Sequence, residues 1–289
     1  MRNDIVIIRG GGDIASGTVQ KLHRCGFKVL VLEVKNPTSI RRLVSFSEAI
    51  YEGKITIEGI TAVYAKNMKN IYDAWINNRV PIMVDPHCNC LNTIRPKILV
   101  DAILAKKNLG TNINMADITI GLGPGFKAGD DVNAVVETMR GHNLGRVIYS
   151  GCAMADTGCP GSILGFSKER VIYSPCSGII KNIKQIGDLV KKGSTIALVD
   201  NVKIKASLTG VLRGIIRDNS TVFKGLKIAD IDPRASERKN CFTISDKARN
   251  IAGGVLEAIL YLQNNKSNVE DHCRVQNIKT HLQKGLLHN

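Results

Sequence analysis

Aromatic residues are scarce in this chain of 289 residues: one Trp, six Tyr and six Phe. Its lysines are dispersed rather than gathered with arginines and rings into a stripe, so it lacks the stacking platform that single-stranded nucleic acid needs. The excess of 40 Lys and Arg over 25 Asp and Glu, a formal charge of +15, reads as a solvated basic surface. Lys, Asn and Ile are all abundant, as in proteins from AT-rich genomes, and no nucleic-acid partner is expected. No apolar run approaches the ~20 residues that span a bilayer, so no membrane partner is expected either. The first residues run straight into a strand pattern without a cationic, apolar and small-residue leader. Eight cysteines lie scattered in a chain too large to need staples and read as reduced thiols. A soluble, cytoplasmic protein is the expectation. Also missing are a Ser–His–Asp order, paired carboxylates, a Walker lysine and the second thiol pair of a structural zinc site.

What is present begins at the amino terminus. The apolar run Ile5–Ile8 leads into Arg9-Gly10-Gly11-Gly12-Asp13-Ile14-Ala15-Ser16-Gly17, then an amphipathic stretch (Val19, Leu22, Cys25), then Val29–Leu32 ending at Glu33. Strand, glycine turn, helix, strand and terminal acid is the opening unit of a nucleotide-binding sheet. Gly10 permits the tight turn, Gly12 lets backbone amides approach a pyrophosphate at the helix start, and Ala15 takes the close-packing position. Glu33 is placed to accept from a ribose hydroxyl. The plainer alternative is that the glycines only let a helix pack closely on its sheet.

Further along, Lys35–Ala49 is basic and turn-like and supplies Arg41 and Arg42. Alternation over Lys54–Val63 predicts a hairpin turning near Gly59, and Asn67–Asn78 predicts a helix with Trp75 at core spacing. Val80–Val84 reads as a strand, Pro96 as the first turn of a helix through Ile98, Leu99, Ala102, Ile103 and Leu104, and Asp117–Ile120 as a strand running into Gly121–Gly125. Gly123 and Gly125 would face the same crevice as the first glycine turn. From Ser177 an internal repeat sets in: Ser177–Asp200 and Thr209–Asp232 each read as strand, turn, "V-x-x-G" corner and strand. This pairing resembles the barrel-sandwich hybrid of biotinyl and lipoyl carriers, although the tip near Asp200-Asn201 lacks a carrier lysine. The expected fold class is α/β: a Rossmann-like, doubly wound, mainly parallel sheet over 1–165 and a small all-β barrel-sandwich-hybrid domain over 166–235. A helix over 236–265 would dock on the first domain, and a polar basic tail would fill 266–289.

Other constellations are thinner. His87, Cys88 and Cys90 form a dense cluster of soft ligands, with Cys152, Cys159 or Cys176 as partners if folding gathers them; the alternative is incidental thiols, and no metal is assigned. Arg140 and His142 share a turn near the presumed crevice, Arg140 suited to phosphate or carboxylate and His142 to acid–base work. His142 and Cys152 are the catalytic candidates, and whether the chain is an enzyme stays open.

Several long motifs in one order carry a family resemblance over Ile5 to Leu262. They include RGGGDIASG (Arg9–Gly17), RRLVSFSEAIYEG (Arg41–Gly53), DAILAKKN (Asp101–Asn108) and GLGPGFKAGDDV (Gly121–Val132). To these add ETMRGHNLGRVI (Glu137–Ile148), TGCPG (Thr157–Gly161), KIADIDPR (Lys227–Arg234) and ISDKARNIAGGVLEAIL (Ile244–Leu260). The chain resembles the YqeB family, accessory proteins of selenium-dependent molybdenum hydroxylase systems. The resemblance implies a role in maturing or loading such a hydroxylase, with its subunits as partners. The residues add a small anionic, nucleotide-like ligand as partner; its identity is left open, with molybdopterin dinucleotide or NAD(P) as the candidates. Its binders would be Gly10, Gly11, Gly12, Asp13, Ala15, Glu33, Arg41, Arg42, Gly123, Gly125 and Arg140. The alternatives are a non-catalytic assembly scaffold and an NAD(P)-dependent oxidoreductase.

Overall fold

The run Ile5–Arg9 forms β1, buried from Val6 to Arg9 on both faces, as a strand inside a covered parallel sheet must be. The computed structural model describes residues 4–285, with side chains from 4 to 265. The basic tail expected at 266–289 lies outside the residues whose side chains are described. After β1 come α1 (Asp13–Arg24), β2 (Lys28–Glu33), the short α2 (Ala49–Glu52) and the hairpin β3 (Lys54–Ile57) and β4 (Ile60–Tyr64). Then follow α3 (Met68–Ile76), β5 (Val80–Val84), β6 (Ile98–Asp101), β7 (Ile118–Leu122), β8 (Lys127–Ala128), β9 (Ala134–Val136), β10 (Val147–Ile148) and β11 (Gly151–Cys152).

Nine of these strands form one sheet in the order β10-β9-β7-β6-β1-β2-β5-β4-β3. The seven inner strands are parallel, while β3 and β10 run antiparallel at the two edges. On one face Val6, Ile8, Val29 and Val31 meet α1 and a long carboxyl-terminal helix, α4 (Asp246–Gly285), through Val19, Leu22, Ile251, Val255 and Ile259. On the other, Ile7, Leu30 and Leu99 meet Ile71 and Trp75 of α3. The sheet is therefore mixed, not the doubly wound, Rossmann-like sheet expected. No α-helix lies between β5 and β6 or between β6 and β7, and α4, from far along the chain, packs instead against β7, β9 and β10.

The helix predicted from Pro96 is a strand. Ile98, Leu99, Val100 and Asp101 are all buried, and β6 pairs with β1 and β7. A short apolar run fits either structure by periodicity alone, and burial between two neighbours decides for the strand. The predicted hairpin at Gly59 and helix at Asn67–Asn78 are present, the latter capped by the Asn67 side chain accepting from the Asn70 amide.

Residues 171–232 supply β12 (Val171–Tyr173), β13 (Gly178–Asn182), β14 (Leu189–Val190), β15 (Thr195–Val199), β16 (Val202–Lys205), β17 (Gly210–Ile215), β18 (Thr221–Val222) and β19 (Lys227–Asp232). They make two four-stranded antiparallel sheets, β12-β19-β17-β14 and β16-β15-β13-β18, around their own apolar core. A biotinyl- or lipoyl-type hybrid is not supported. At the exposed hairpin tip the Asp200 carboxylate turns back to accept from the Ile179 amide at 3.0 Å and lies where a side chain on Gly178 would go. The unit is also held against the large sheet. Arg217 donates to Glu48 at 2.9 Å and Glu52 at 2.5 Å and lies over the Tyr51 ring, and Gly214 leaves room for Ile40.

Candidate functional site

Strand order reverses between β1 and β6, and the chain leaves β1 there through the glycine turn. Gly10 has φ +93° and donates its amide to the Leu32 carbonyl at 2.7 Å. Gly11 donates to Glu33 Oε2 at 2.8 Å and its carbonyl accepts from the Ser47 amide at 2.9 Å. A Cβ on Gly11 would meet Ser47 N at 3.0 Å, and one on Gly10 would meet Ala102 O at 3.0 Å. Glu33 Oε1 takes the Val34 amide at 2.8 Å, so the carboxylate serves its own turn rather than facing outward. Burial pushes its pKa up against the pull of those two amides.

On sequence grounds Glu33 and the glycine amides would hold a guest. The structure shows them satisfying each other, with the 45–48 segment, Phe46 fully buried, laid over the turn. Gly12 starts α1 with open space around it, since a Cβ there would find only Ser39 Oγ within 4 Å, and Ala15 is buried as expected. Because Glu33's folded pKa is raised, its contribution to stability is present at low pH and is lost as pH climbs through the raised value. Wild-type stability relative to Glu33→Gln should therefore rise as pH falls from neutral to mildly acidic. Thermal unfolding across that range checks this, and a flat difference contradicts it.

Arg41 is also turned inward. Its Nη2 donates to the carbonyls of Asn240 and Thr243, both at 3.0 Å, its Nη1 lies 3.5 Å from Asp13, and burial pulls its pKa down. Arg42 reaches Gln185 at 3.4 Å. Both arginines tie the loop after β2 to later parts of the chain.

The second glycine turn does border a crevice. Gly123 (φ +78°) and Gly125 (φ +108°) pack so tightly that a Cβ would strike Thr138 Oγ1 or the Lys107 backbone. Leu122 and Pro124 of this turn then line a crevice of about 500 Å³ with Leu104, Met154, Tyr173 and the 156–161 loop. Four cations line it too: Lys106, Arg140, Lys227 and Lys247. Lys106 is paired with Asp156 at 2.6 Å, and Arg140 grips Asp246 with both Nη atoms at 2.8 and 2.9 Å. That fork holds the Asp246 carboxyl well below its ordinary range. Lys227 and Lys247 have no ion-pair partner among the described residues. Burial, and then Arg140, pull the Lys247 pKa down against Asp13 and Glu137.

Glu137 frames this corner. It is buried, and its carboxylate accepts from the amides of Thr138 and Met139, both at 2.7 Å, and from Met154 at 2.8 Å. The crevice is thus electropositive, with an apolar wall and a rigid floor, and suits an anion carrying a ring.

Of the other predicted residues, His142 is exposed in an open groove with Lys21, Arg146 and Arg249, away from the crevice. Cys152 is exposed on β11; the thiol that lines the crevice is Cys159. His87 is exposed while Cys88 and Cys90 are buried in the apolar cluster under α3. Burial and the neighbouring Asp85 carboxylate push the Cys90 thiol up to about 12. Among the described residues no three His, Cys, Asp or Glu side chains gather to hold a metal ion. Sequence reasoning missed Lys106, Glu137, Lys227 and Lys247, although each lies in a motif quoted above. No helix among the described residues is long and apolar enough to cross a membrane.

No protein-family model matches the chain. It is 50% identical over 260 residues to the uncharacterized protein YqeB of Escherichia coli strain K12. The match covers 90% of this chain and 48% of that protein, so the chain spans about half the length of its curated relative. Among solved structures it is similar to the product-bound ectoine utilization protein EutE (DoeB) of Ruegeria pomeroyi. Identity there is 10% and the TM-score 0.27, covering 79% of this chain and 85% of that one. An aspartoacylase family protein of Mesorhizobium loti follows at 12% identity and a TM-score of 0.25, covering 81% and 86%.

Proposed function

The chain is a relative of YqeB, and on that premise we propose that it is an accessory factor for cofactor loading of a selenium-dependent molybdenum hydroxylase. In this reading it holds a small phosphorylated, nucleotide- or pterin-like molecule in the crevice beside β7 and β9. The observation that supports the reading is the convergence of Lys106, Arg140, Lys227 and Lys247 on one partly apolar cavity, two of them without a neutralising partner. A ligand phosphate there gains charge-assisted hydrogen bonds from Lys227 and Lys247, neither of which has an ion pair among the described residues, while Leu104, Met154 and Tyr173 shield a ring from water. The glycine turn after β1 contributes by fixing the edge rather than by touching the ligand. Hydroxylase subunits are the partners of this reading.

Titration with inorganic pyrophosphate at low ionic strength tests the anion site. Lys227→Met and Lys247→Met should each weaken binding by about tenfold, and added salt should weaken the wild type. Binding unchanged in both variants, or insensitive to salt, overturns the proposal.

A further inference from the structure

A second cavity, of about 400 Å³, lies beside the crevice, and Arg140 lines both. The two share a wall at consecutive residues: Lys247 faces the larger cavity and Asp246 the smaller, Gly161 the larger and Ser162 the smaller. That wall consists of the Arg140–Asp246 fork and the turn at 161–162. A Cβ on Gly161 would sit 3.0 Å from Arg140 Cδ, so the glycine lets the turn close over the arginine stem.

The two chambers differ in chemistry. The larger has an apolar side and two lysines, Lys227 and Lys247, without an ion pair among the described residues. The smaller is lined by donors and acceptors side by side, among them Asp232, Arg234, Asn240 and Ser245, with Arg234 already held by Asp232 at 2.8 Å. Such a lining suits the hydrogen-bonding edge of a heterocycle or a sugar, not a further phosphate. The partition is weak. Its two side chains are 46% and 73% exposed, and an exposed ion pair contributes little. A diphosphate offers Arg140 the same bidentate geometry with more charge.

We propose that the two cavities form one bipartite site for a ligand with two ring-bearing halves joined by a diphosphate, in which the diphosphate takes Arg140 from Asp246. The inference rests on the anion-binding reading above and narrows it to dinucleotide-sized ligands. Arg140 and Lys247 hold the linkage, one half lies against Leu104 and Tyr173, and the other passes into the chamber at Ser162 and Asn240.

Three probes separate the two claims: inorganic pyrophosphate, AMP and diadenosine diphosphate, each titrated against the full chain by calorimetry. Diadenosine diphosphate should bind about tenfold or more tightly than AMP, since its second half is tethered to the first. Ser162 is exposed, so Ser162→Trp keeps the fold while filling the smaller chamber; it should remove that advantage and leave AMP unchanged. Asp246→Asn, which frees Arg140, should enlarge the advantage. Equal affinity for AMP and diadenosine diphosphate, or an advantage that survives Ser162→Trp, overturns the bipartite site while pyrophosphate binding stands. Failure of all three probes to bind overturns the anion site and the bipartite site together.

Discussion

Arg9→Met should cost about 3–5 kcal/mol of folding stability, because it strands a buried carboxylate. The Arg9 and Asp101 side chains are 5% and 2% exposed and meet at 3.2 Å. Arg9 Nη1 also reaches the Thr111 hydroxyl, and Nη2 donates to the carbonyls of Pro86 at 3.1 Å and Leu109 at 3.2 Å. Thr111 in turn donates to Asp101 at 2.6 Å. One guanidinium therefore joins the ends of β1 and β6, the turn after β5 and the loop at 109–111. Methionine fills the space but leaves Asp101 without its countercharge and two carbonyls without donors. Arg9→Met/Asp101→Leu should recover most of the loss, since an apolar pair of similar volume removes the uncompensated charge. Urea unfolding of the three proteins measures this. A cost for Arg9→Met below about 1 kcal/mol, on the scale of an exposed pair, contradicts the account.

Gly17→Val should destabilise by about 1–3 kcal/mol and weaken pyrophosphate binding at the same time. A Cβ at Gly17 would lie 2.6 Å from Ala248 O and 2.9 Å from Ala248 Cβ, distances that only a shift of α1 or α4 can relieve. Ala248 follows Lys247, so moving the start of α4 moves a crevice cation. That start is otherwise held by Glu58, which accepts from the Ile244 amide at 2.8 Å and from Arg249 at 2.7 Å. Gly12→Ala makes the contrast, because only Ser39 Oγ, at 3.7 Å, faces its new methyl group; it should stay within about 1 kcal/mol of wild type. Equal losses at the two positions would contradict the account, since backbone entropy alone favours replacing a glycine.

These positions show how much of the molecule is legible in the sequence. The strand–turn–helix–strand opening is legible because its apolar runs and glycines act locally, and the hairpin at Gly59 and the Asn67 cap are legible for the same reason. The occupant of the glycine turn is not. Ser47 and the Glu33 carboxylate fill it through contacts that only the folded chain creates, and Glu33 at a β-strand end looks the same whether it serves a ribose or a backbone amide. The strand at Ile98–Asp101 reads as a helix because its pattern fits both, and its burial depends on β1 and β7. Arg140, singled out in the sequence beside a presumed crevice, lines the cavity next to the second glycine turn. Its companions Lys106, Lys227 and Lys247 come from three separate segments, and nothing local marks a lysine that will share a cavity with others far along the chain. The repeat at 177–232 is visible as paired halves, but the return of the Asp200 carboxylate to the Ile179 amide depends on a contact across strands.

Closure of the β1–α1–β2 face by α4 has a consequence for synthesis on the ribosome. Val19 and Leu22 find Ile251 and Val255 only after some 230 further residues have been made, on the order of tens of seconds at ordinary elongation rates. Through that interval a nascent chain carries a sticky flank that its own earlier segments cannot cover, open to chaperones and to neighbouring polysomes alike. Translation speed between the codons for α1 and those for α4 thus becomes a determinant of yield.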